Sequence, residues 1–254
     1  MIPAAPPPAL PPATAVEIAQ YGGHVMWLDT IDGEKVVVDR TRGQTVTVPI
    51  AAPVRELDLG PGPDGRPAAV YVRCRPSCDV WRYNLANGHE TRVVRNARRP
   101  TVWGRRLVYT HGRDVLLREN GRSRLLALRA DPDDLELGPG QLAYTALFDS
   151  DEGNGALELR LHALAGGRDV PLDRGVIGEG DSTGFNGLTF LSEGLYWQRA
   201  HRSACTVRIT GFALYEPRRA RRRTVDRVRA PLAARRAPAA APDTPESEGC
   251  EPGG

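Results

Sequence analysis

Acidic side chains crowd one short segment of the 254-residue chain, residues 149–154. Asp149, Asp151 and Glu152 supply the carboxylate oxygens that Ca²⁺ takes as ligands in proteins. The spacing is not that of an EF-hand loop, because the twelfth position is Arg160 rather than the closing glutamate. The three acids are therefore calcium candidates, with an acidic, solvated turn as the simpler interpretation. No other cofactor is indicated.

Cys74 and Cys78 stand on either side of a three-residue turn. If they end and begin adjacent antiparallel strands, their sulfur atoms could meet at bonding distance. Free thiols or half of a zinc site are the alternatives, but no second Cys or His pair completes a zinc site. We predict a structural disulfide worth about 2 kcal/mol in the chain-entropy model. Cys205 and Cys250 could form a second bridge, which only the even cysteine count suggests.

A serine lies in the segment Gly-Asp-Ser-Thr-Gly, residues 180–184, which resembles the Gly-Asp-Ser-Gly of trypsin-like proteases. A serine nucleophile needs a histidine base that a carboxylate orients. None of the five histidines has the Ala-Ala-His-Cys context of that family, and Thr183 replaces the second glycine. A loop between structural repeats explains the segment equally well.

The C-terminal region carries an arginine cluster formed by Arg218, Arg219, Arg221, Arg222 and Arg223. Such a cluster could bind phosphate on nucleic acid or lipid. No aromatic residue follows Tyr215, so the stacking typical of single-strand recognition is missing. Residues 217–254 hold nine Arg and five acids (9 − 5 = +4), which leaves the rest of the +3 chain near −1. We therefore favour a charged edge strand and expect no nucleic-acid partner.

Short strands must position these groups. Val54–Val94 contains four candidate strands, Val54–Leu59, Ala68–Cys74, Cys78–Asn84 and Glu90–Val94, separated by turns rich in Gly, Pro and Asn. A four-stranded meander leaves one apolar face open and needs similar neighbours to cover it. Related units precede it, beginning near Ala15, and follow it at Pro100, Asp133 and Gly184.

The five units can be superimposed on their second strand, which always carries an aromatic residue. These aromatics are Trp27, Tyr71, Tyr109, Tyr144 and Trp197. Leu57–Gly62 (LDLGPG) and Leu135–Gly140 (LELGPG) also match almost letter for letter. The repeat length suits the blades of a β-propeller, and we expect the aromatics to pack in the core between blades.

The segment LDLGPGPDGRPAAVY resembles the blade signature of TolB-like propellers, in which a Ser-Pro-Asp-Gly turn precedes an apolar strand. Pro63-Asp64-Gly65 matches that turn, and Gly62 stands where the serine would be. Neighbouring sequence segments are similar to those of uncharacterised propeller proteins of high-GC bacteria. The resemblance implies a propeller, and the five recurring units predict an all-β propeller of about five four-stranded blades. A β-sandwich or two small β domains is the alternative.

Composition and end segments set the domain limits. A hydrophobic fraction of 41% and a charged fraction of 26% are those of a globular protein, and no run reaches the roughly 18 apolar residues of a membrane span. Residues 1–14 form a Pro-rich arm and 230–254 an Arg/Ala/Pro/Glu tail, both predicted to be disordered. Residues 15–229 form the propeller domain, and Ala15–Gln20 could pair into the last blade.

Two locations and two functions stay open. A disulfide indicates an extracytoplasmic location, yet Met1–Ala15 lacks the basic start and apolar centre of a signal peptide, so a cytoplasmic protein with reduced thiols is the alternative. The first function is a non-catalytic binding or scaffolding module for a protein or glycan partner. The second is a propeller hydrolase or lyase with Asp58, Glu136 or Asp181 at the central channel. No motif is specific enough to identify a reaction or a ligand.

Overall fold

The computed structural model describes residues 16–31, 34–148, 155–177, 181–191, 193–203, 207–216 and 221–225. Within these ranges every regular element is a β-strand, and the strands form five four-stranded antiparallel meanders. The all-β prediction of a propeller with five four-stranded blades is confirmed. The arm at 1–14 and the tail at 230–254 lie outside the described residues.

The twenty strands follow one another in chain order. The first three blades consist of β1 Val16–Tyr21, β2 His24–Ile31, β3 Glu34–Thr41, β4 Gln44–Val48, β5 Arg55–Pro61, β6 Pro67–Cys74, β7 Cys78–Asn84, β8 Glu90–Val94, β9 Arg98–Trp103, β10 Arg106–His111, β11 Asp114–Glu119 and β12 Arg122–Leu125. The last two consist of β13 Pro132–Gly138, β14 Gln141–Phe148, β15 Gly155–Ala163, β16 Asp169–Ile177, β17 Asp181–Leu191, β18 Gly194–Ser203, β19 Val207–Glu216 and β20 Arg221–Val225.

The chain divides into two compact units. Unit 1, Met1–Leu125, contains blades 1 to 3, and unit 2, Leu126–Gly254, contains blades 4 and 5. In unit 2 a single pair, Ile177 with Ser182, joins β16 to β17, so that the two blades form one eight-stranded sheet. In unit 1 the first strands of consecutive blades contact each other, β1 with β5 and β5 with β9.

Local sequence determines the turns between strands. Asn120 and Gly121 both have positive φ (51° and 80°), as the two-residue hairpin turn between β11 and β12 requires. The Gly62–Gly65 segment closes a β-turn in which the Gly65 N–H donates to the Gly62 carbonyl at 2.9 Å. The predicted Asn-Gly and Pro-Asp-Gly turns are therefore confirmed.

The matching Leu-x-Leu-Gly segments explain how consecutive blades approach each other. Both lie on the first strand of a blade, with their leucines buried. A Cβ at Gly60 would lie 2.1 Å from the carbonyl oxygen of Val102, and one at Gly138 would lie 2.5 Å from the Phe190 ring. Val102 and Phe190 belong to the first strand of the following blade. Glycine is therefore required where the two strands make close contact.

Two apolar clusters fill unit 1. One lies between blades 1 and 2 and includes Met26, Leu57 and Tyr71. The other lies between blades 2 and 3 and includes Val80 and Leu107. Within unit 1, blades 1 and 2 and blades 2 and 3 therefore cover each other's apolar faces, as four-stranded meanders require.

One prediction about the N-terminal strand is wrong. Ala15–Gln20 is a candidate for pairing into the last blade, but β1 pairs with β2 at the edge of its own sheet. Tyr21 lies opposite His24 across a tight turn at Gly22 and Gly23, both with positive φ. Because this connection is short, closing it costs little conformational entropy, which favours pairing of β1 within its own blade.

Candidate functional site

The five second-strand aromatics are structural. Their relative exposures are Trp27 3%, Tyr71 0%, Tyr109 5%, Tyr144 0% and Trp197 0%. Tyr71 packs in the cluster between blades 1 and 2, and Tyr109 in the cluster between blades 2 and 3. The prediction that these residues pack in the core is confirmed.

Each tyrosine hydroxyl of this set donates a hydrogen bond to the fourth strand of its own blade. The pairs are Tyr71 with Glu90 on β8, Tyr109 with Ser123 on β12 (3.0 Å), and Tyr144 with Asp169 on β16 (2.7 Å). A buried hydroxyl must find such a partner or lose its hydration without compensation. The bond spans the blade from its second strand to its fourth.

An arginine completes the network in blade 2. Arg73 donates to Glu90 at 2.7 Å, and its guanidinium lies 4.7 Å from the centre of the Trp81 ring. Burial, followed by the hydrogen bond to Glu90, raises the pKa of Tyr71 well above its usual range. Burial alone would raise the pKa of Glu90, but hydrogen bonds from Arg73 and Tyr71 outweigh it and lower that pKa. Tyr71 therefore stays a neutral donor and Glu90 an ionised acceptor.

Unit 2 contains a similar network of a tyrosine hydroxyl, a carboxylate and an arginine. Arg160 donates to Asp169 at 2.6 Å, beside the Tyr144 hydroxyl. Burial disfavours the charged form of Arg160, but hydrogen bonds to Asp169 and Glu158 outweigh it and raise its pKa. In the same unit Asp173, buried on β16, accepts from the Trp197 indole at 3.0 Å. These carboxylates are held by cations and aromatic donors, which is a structural role.

The predicted channel acids bind main-chain groups of the next blade. The Asp58 carboxylate accepts the Val102 N–H at 2.9 Å, and the Glu136 carboxylate accepts the Phe190 N–H at 3.0 Å. The two acids occupy the same register in their blades, each paired with the residue before the second-strand tyrosine. They belong to different compact units, and each is used between first strands of consecutive blades. The side chain of Asp181 lies outside the described residues.

Three other candidates lie wholly or partly outside the described residues. Asp149, Asp151 and Glu152 lie outside the described residues, as does Cys205. Ser182 lies within β17 and pairs with Arg202, so residues 181–184 are strand and not the loop that the sequence suggested. Among the residues that the structure describes, no three His, Cys, Asp or Glu side chains form a metal-binding group.

Cys74 and Cys78 form the predicted disulfide, with an S–S distance of 2.09 Å. They face each other at the end of the β6–β7 ladder. Beside them, Arg73 and Arg75 donate to the carbonyl oxygens of Ala51 and Ala52. The bridge therefore closes a hairpin that is anchored to the connection between blades 1 and 2. The thiol and zinc alternatives are wrong for this pair.

The C-terminal arginine cluster is partly described. Its residues 221–223 begin β20, the edge strand of the unit 2 sheet, as the edge-strand interpretation expects. Arg222 forms an ion pair with Asp173 at 2.7 Å and donates to the Leu172 carbonyl. Part of this cluster therefore serves the sheet itself. Arg218 and Arg219 lie outside the described residues.

A pocket of about 390 Å³ between blades 2 and 3 is lined by arginines that the sequence analysis did not single out. Arg82 comes from β7, Arg118 from β11 and Arg105 from the turn between β9 and β10. The Asn120 turn and the Leu107 side chain contribute to the same lining.

Strand alternation places two of these arginines on facing surfaces. Val80 and Arg82 lie on the same face of β7, and Leu116 and Arg118 lie on the same face of β11. Val80 and Leu116 both pack in the cluster between blades 2 and 3. Arg82 and Arg118 therefore extend that apolar interface. An arginine in the inward phase of a strand is a sequence signal, although it does not show which arginine of another blade it will face.

The pocket concentrates positive charge. The Nε of Arg82 is buried and has no hydrogen-bond partner. Burial, and then the positive charge of Arg118, lowers the pKa of Arg82. Within the described ranges neither Arg82, Arg105 nor Arg118 forms an ion pair. The pocket therefore presents positive charge and hydrogen-bond donors to whatever enters it.

The chain is similar to several solved structures. TolB from Acinetobacter baumannii superimposes with a TM-score of 0.52 at 9% identity, over 74% of this chain and 51% of that chain. A TolB candidate from Agrobacterium tumefaciens gives a TM-score of 0.46 at 16% identity, over 60% of this chain and 62% of that one. The β-propeller domain of the Trilobed protease from Pyrococcus furiosus superimposes with a TM-score of 0.46 at 8% identity, over 83% of this chain and 84% of that chain.

At 9% identity the likeness to the Acinetobacter protein shows the fold alone. The present chain spans about half the length of that TolB chain. No family model matches the sequence, and no curated protein matches it. The described part of the chain contains no helix long and apolar enough to cross a membrane.

Proposed function

We propose that the protein is a non-catalytic binding module, a β-propeller that holds a ligand or partner without transforming it. The arginine pocket between blades 2 and 3 carries this proposal. Arginine stays protonated at neutral pH and has no acceptor, so Arg82, Arg105 and Arg118 can bind but cannot serve as a general base or nucleophile.

The acids Asp58 and Glu136 support the same function. Each accepts a main-chain N–H of the next blade. A carboxylate that holds two strands together is poorly available for proton transfer to a substrate. These two carboxylates therefore do not support the alternative of a hydrolase or lyase.

The partner and the location extend the proposal. A protein or a glycan is the expected partner, because propellers present loops at the ends of short strands. The Cys74–Cys78 bridge supports an extracytoplasmic location, since disulfides persist in oxidising compartments. The relation to propellers of high-GC bacteria is part of the same proposal and rests on the sequence resemblance.

A paired activity and binding experiment tests the proposal. The full chain is incubated with panels of ester, glycoside and lactone substrates, and in parallel applied to a glycan array. We expect no turnover above the buffer rate. Turnover that Asp58→Ala abolishes in a variant with unchanged circular dichroism would contradict the proposal and establish the enzyme alternative.

A further inference from the structure

We propose that the pocket formed by Arg82, Arg105 and Arg118 binds the phosphate group of a small phosphorylated molecule. The inference rests on the proposed binding function and names the chemistry of one ligand. Nothing in the fold itself requires a cationic pocket at this interface, because apolar residues fill the rest of it.

The number of arginines favours phosphate over carboxylate. Each guanidinium offers five N–H donors and no acceptor. A carboxylate carries one negative charge and two oxygens, which a single arginine can saturate in a bidentate pair. A phosphate monoester carries about −1.5 to −2 charges and three acceptor oxygens at neutral pH. Three arginines around one pocket match the charge and the acceptors of the phosphate.

Two features of Arg82 cost free energy in the folded protein. A buried donor without a partner, such as Nε of Arg82, loses its hydration and gains nothing in return. Burial lowers the pKa of Arg82, and the like charge of the neighbouring Arg118 lowers it further. Sites that violate the packing rules of the rest of a fold are commonly functional. A bound anion would satisfy the donor and remove the repulsion at once.

The size of the pocket indicates a small organic phosphate. About 390 Å³ lies at the lower end of the roughly 300–1,000 Å³ range of small-molecule sites and exceeds the needs of a bare ion. Leu107 supplies an apolar wall, and the Asn120 turn supplies polar groups for the remainder of the ligand. None of the described residues that line the pocket is aromatic, so base stacking does not contribute.

Ligand-induced stabilisation of the full chain tests this inference. Thermal unfolding and isothermal calorimetry are measured with inorganic phosphate, glycerol 3-phosphate and succinate, each at constant ionic strength. At a concentration ten times Kd, linkage predicts a rise in Tm of about 3–6 °C. We expect this rise with glycerol 3-phosphate, a smaller one with phosphate, and none with succinate. A larger response to succinate would overturn the phosphate assignment.

Variants separate binding from general salt effects. Arg82→Met removes the unpaired donor, so we expect a Tm without ligand that is equal or higher, and at least a 10-fold loss of affinity. Arg118→Met, at a half-buried position, should lose affinity in the same way if Arg82→Met does not fold. Arg113→Gln, exposed in the β10–β11 turn of the same blade, is the matched control and should bind like the wild type.

Phosphate also stabilises proteins by exclusion from their surface, and that effect would persist in every variant. An equal rise in Tm for the wild type and Arg82→Met would therefore overturn the inference, as would the absence of any response. These outcomes are distinguishable from those of the activity panel: they remove the pocket as a phosphate site, whereas only turnover shows that the protein is an enzyme.

Discussion

Replacing Gly60 with alanine forces apart the first strands of blades 2 and 3. The added Cβ would lie 2.1 Å from the Val102 carbonyl oxygen, whereas real Cβ contacts essentially never fall below 3.0 Å. The strand that contains Val102 must therefore retreat by about 0.9 Å, the difference between these distances. That movement also lengthens the 2.9 Å bond from the Val102 N–H to Asp58.

Overpacking of this kind and a weakened hydrogen bond together predict a loss of about 2–3 kcal/mol in the free energy of unfolding. The corresponding fall in Tm is about 4–12 °C. Urea unfolding followed by tryptophan fluorescence measures the effect. Gly155→Ala is the matched control, because its Cβ would meet its nearest atom at 3.5 Å, and we expect its stability to change by less than about 1 kcal/mol. Equal stabilities for the two variants would refute the close approach between blades.

Three further predictions follow from the hydrogen bonds and the bridge. Asp58→Ala leaves the Val102 N–H without its acceptor and should lower the free energy of unfolding by about 1–3 kcal/mol in urea titrations, more than Asp64→Ala at an exposed turn. The lowered pKa of Glu90 means that its contribution to stability is present above its unfolded pKa and disappears as pH falls through the folded pKa. Glu90→Gln should therefore be less stable than the wild type at pH 7 and should lose less stability between about pH 5 and pH 3. Parallel curves of unfolding free energy against pH for the two proteins would contradict the pKa argument. Reduction, or a Cys74→Ser/Cys78→Ser double variant, should cost about 2 kcal/mol of unfolding free energy, and a peptide mass that is unchanged by reduction would show that no bridge forms.

The strands and turns could be predicted because their determinants are local. Alternating apolar residues and short Gly or Asn turns define β6 and β7, and the predicted strand Cys78–Asn84 matches the observed one. The Cys74–Cys78 bridge followed from the same hairpin. Burial of the second-strand aromatics followed from their recurrence at one register.

The roles of polar side chains could not be predicted in the same way. Asp58 was a catalytic candidate, yet its acceptor role depends on Val102, 44 positions along the chain. The arginine pocket depends on two blades that present Arg82 and Arg118 to each other. Neither strand shows more than one inward arginine in a run of alternating residues. Such pairings are properties of blade packing, and a single strand does not reveal them.

A crystal structure of the full chain grown with tungstate tests the binding site most directly. Tungstate is a tetrahedral oxyanion like phosphate and scatters X-rays anomalously. We predict an anomalous peak between Arg82 and Arg118, with tungstate oxygen atoms about 2.7–3.2 Å from their guanidinium nitrogens. A map with tungstate bound elsewhere and none between these two arginines would contradict the assignment of this pocket as the ligand site.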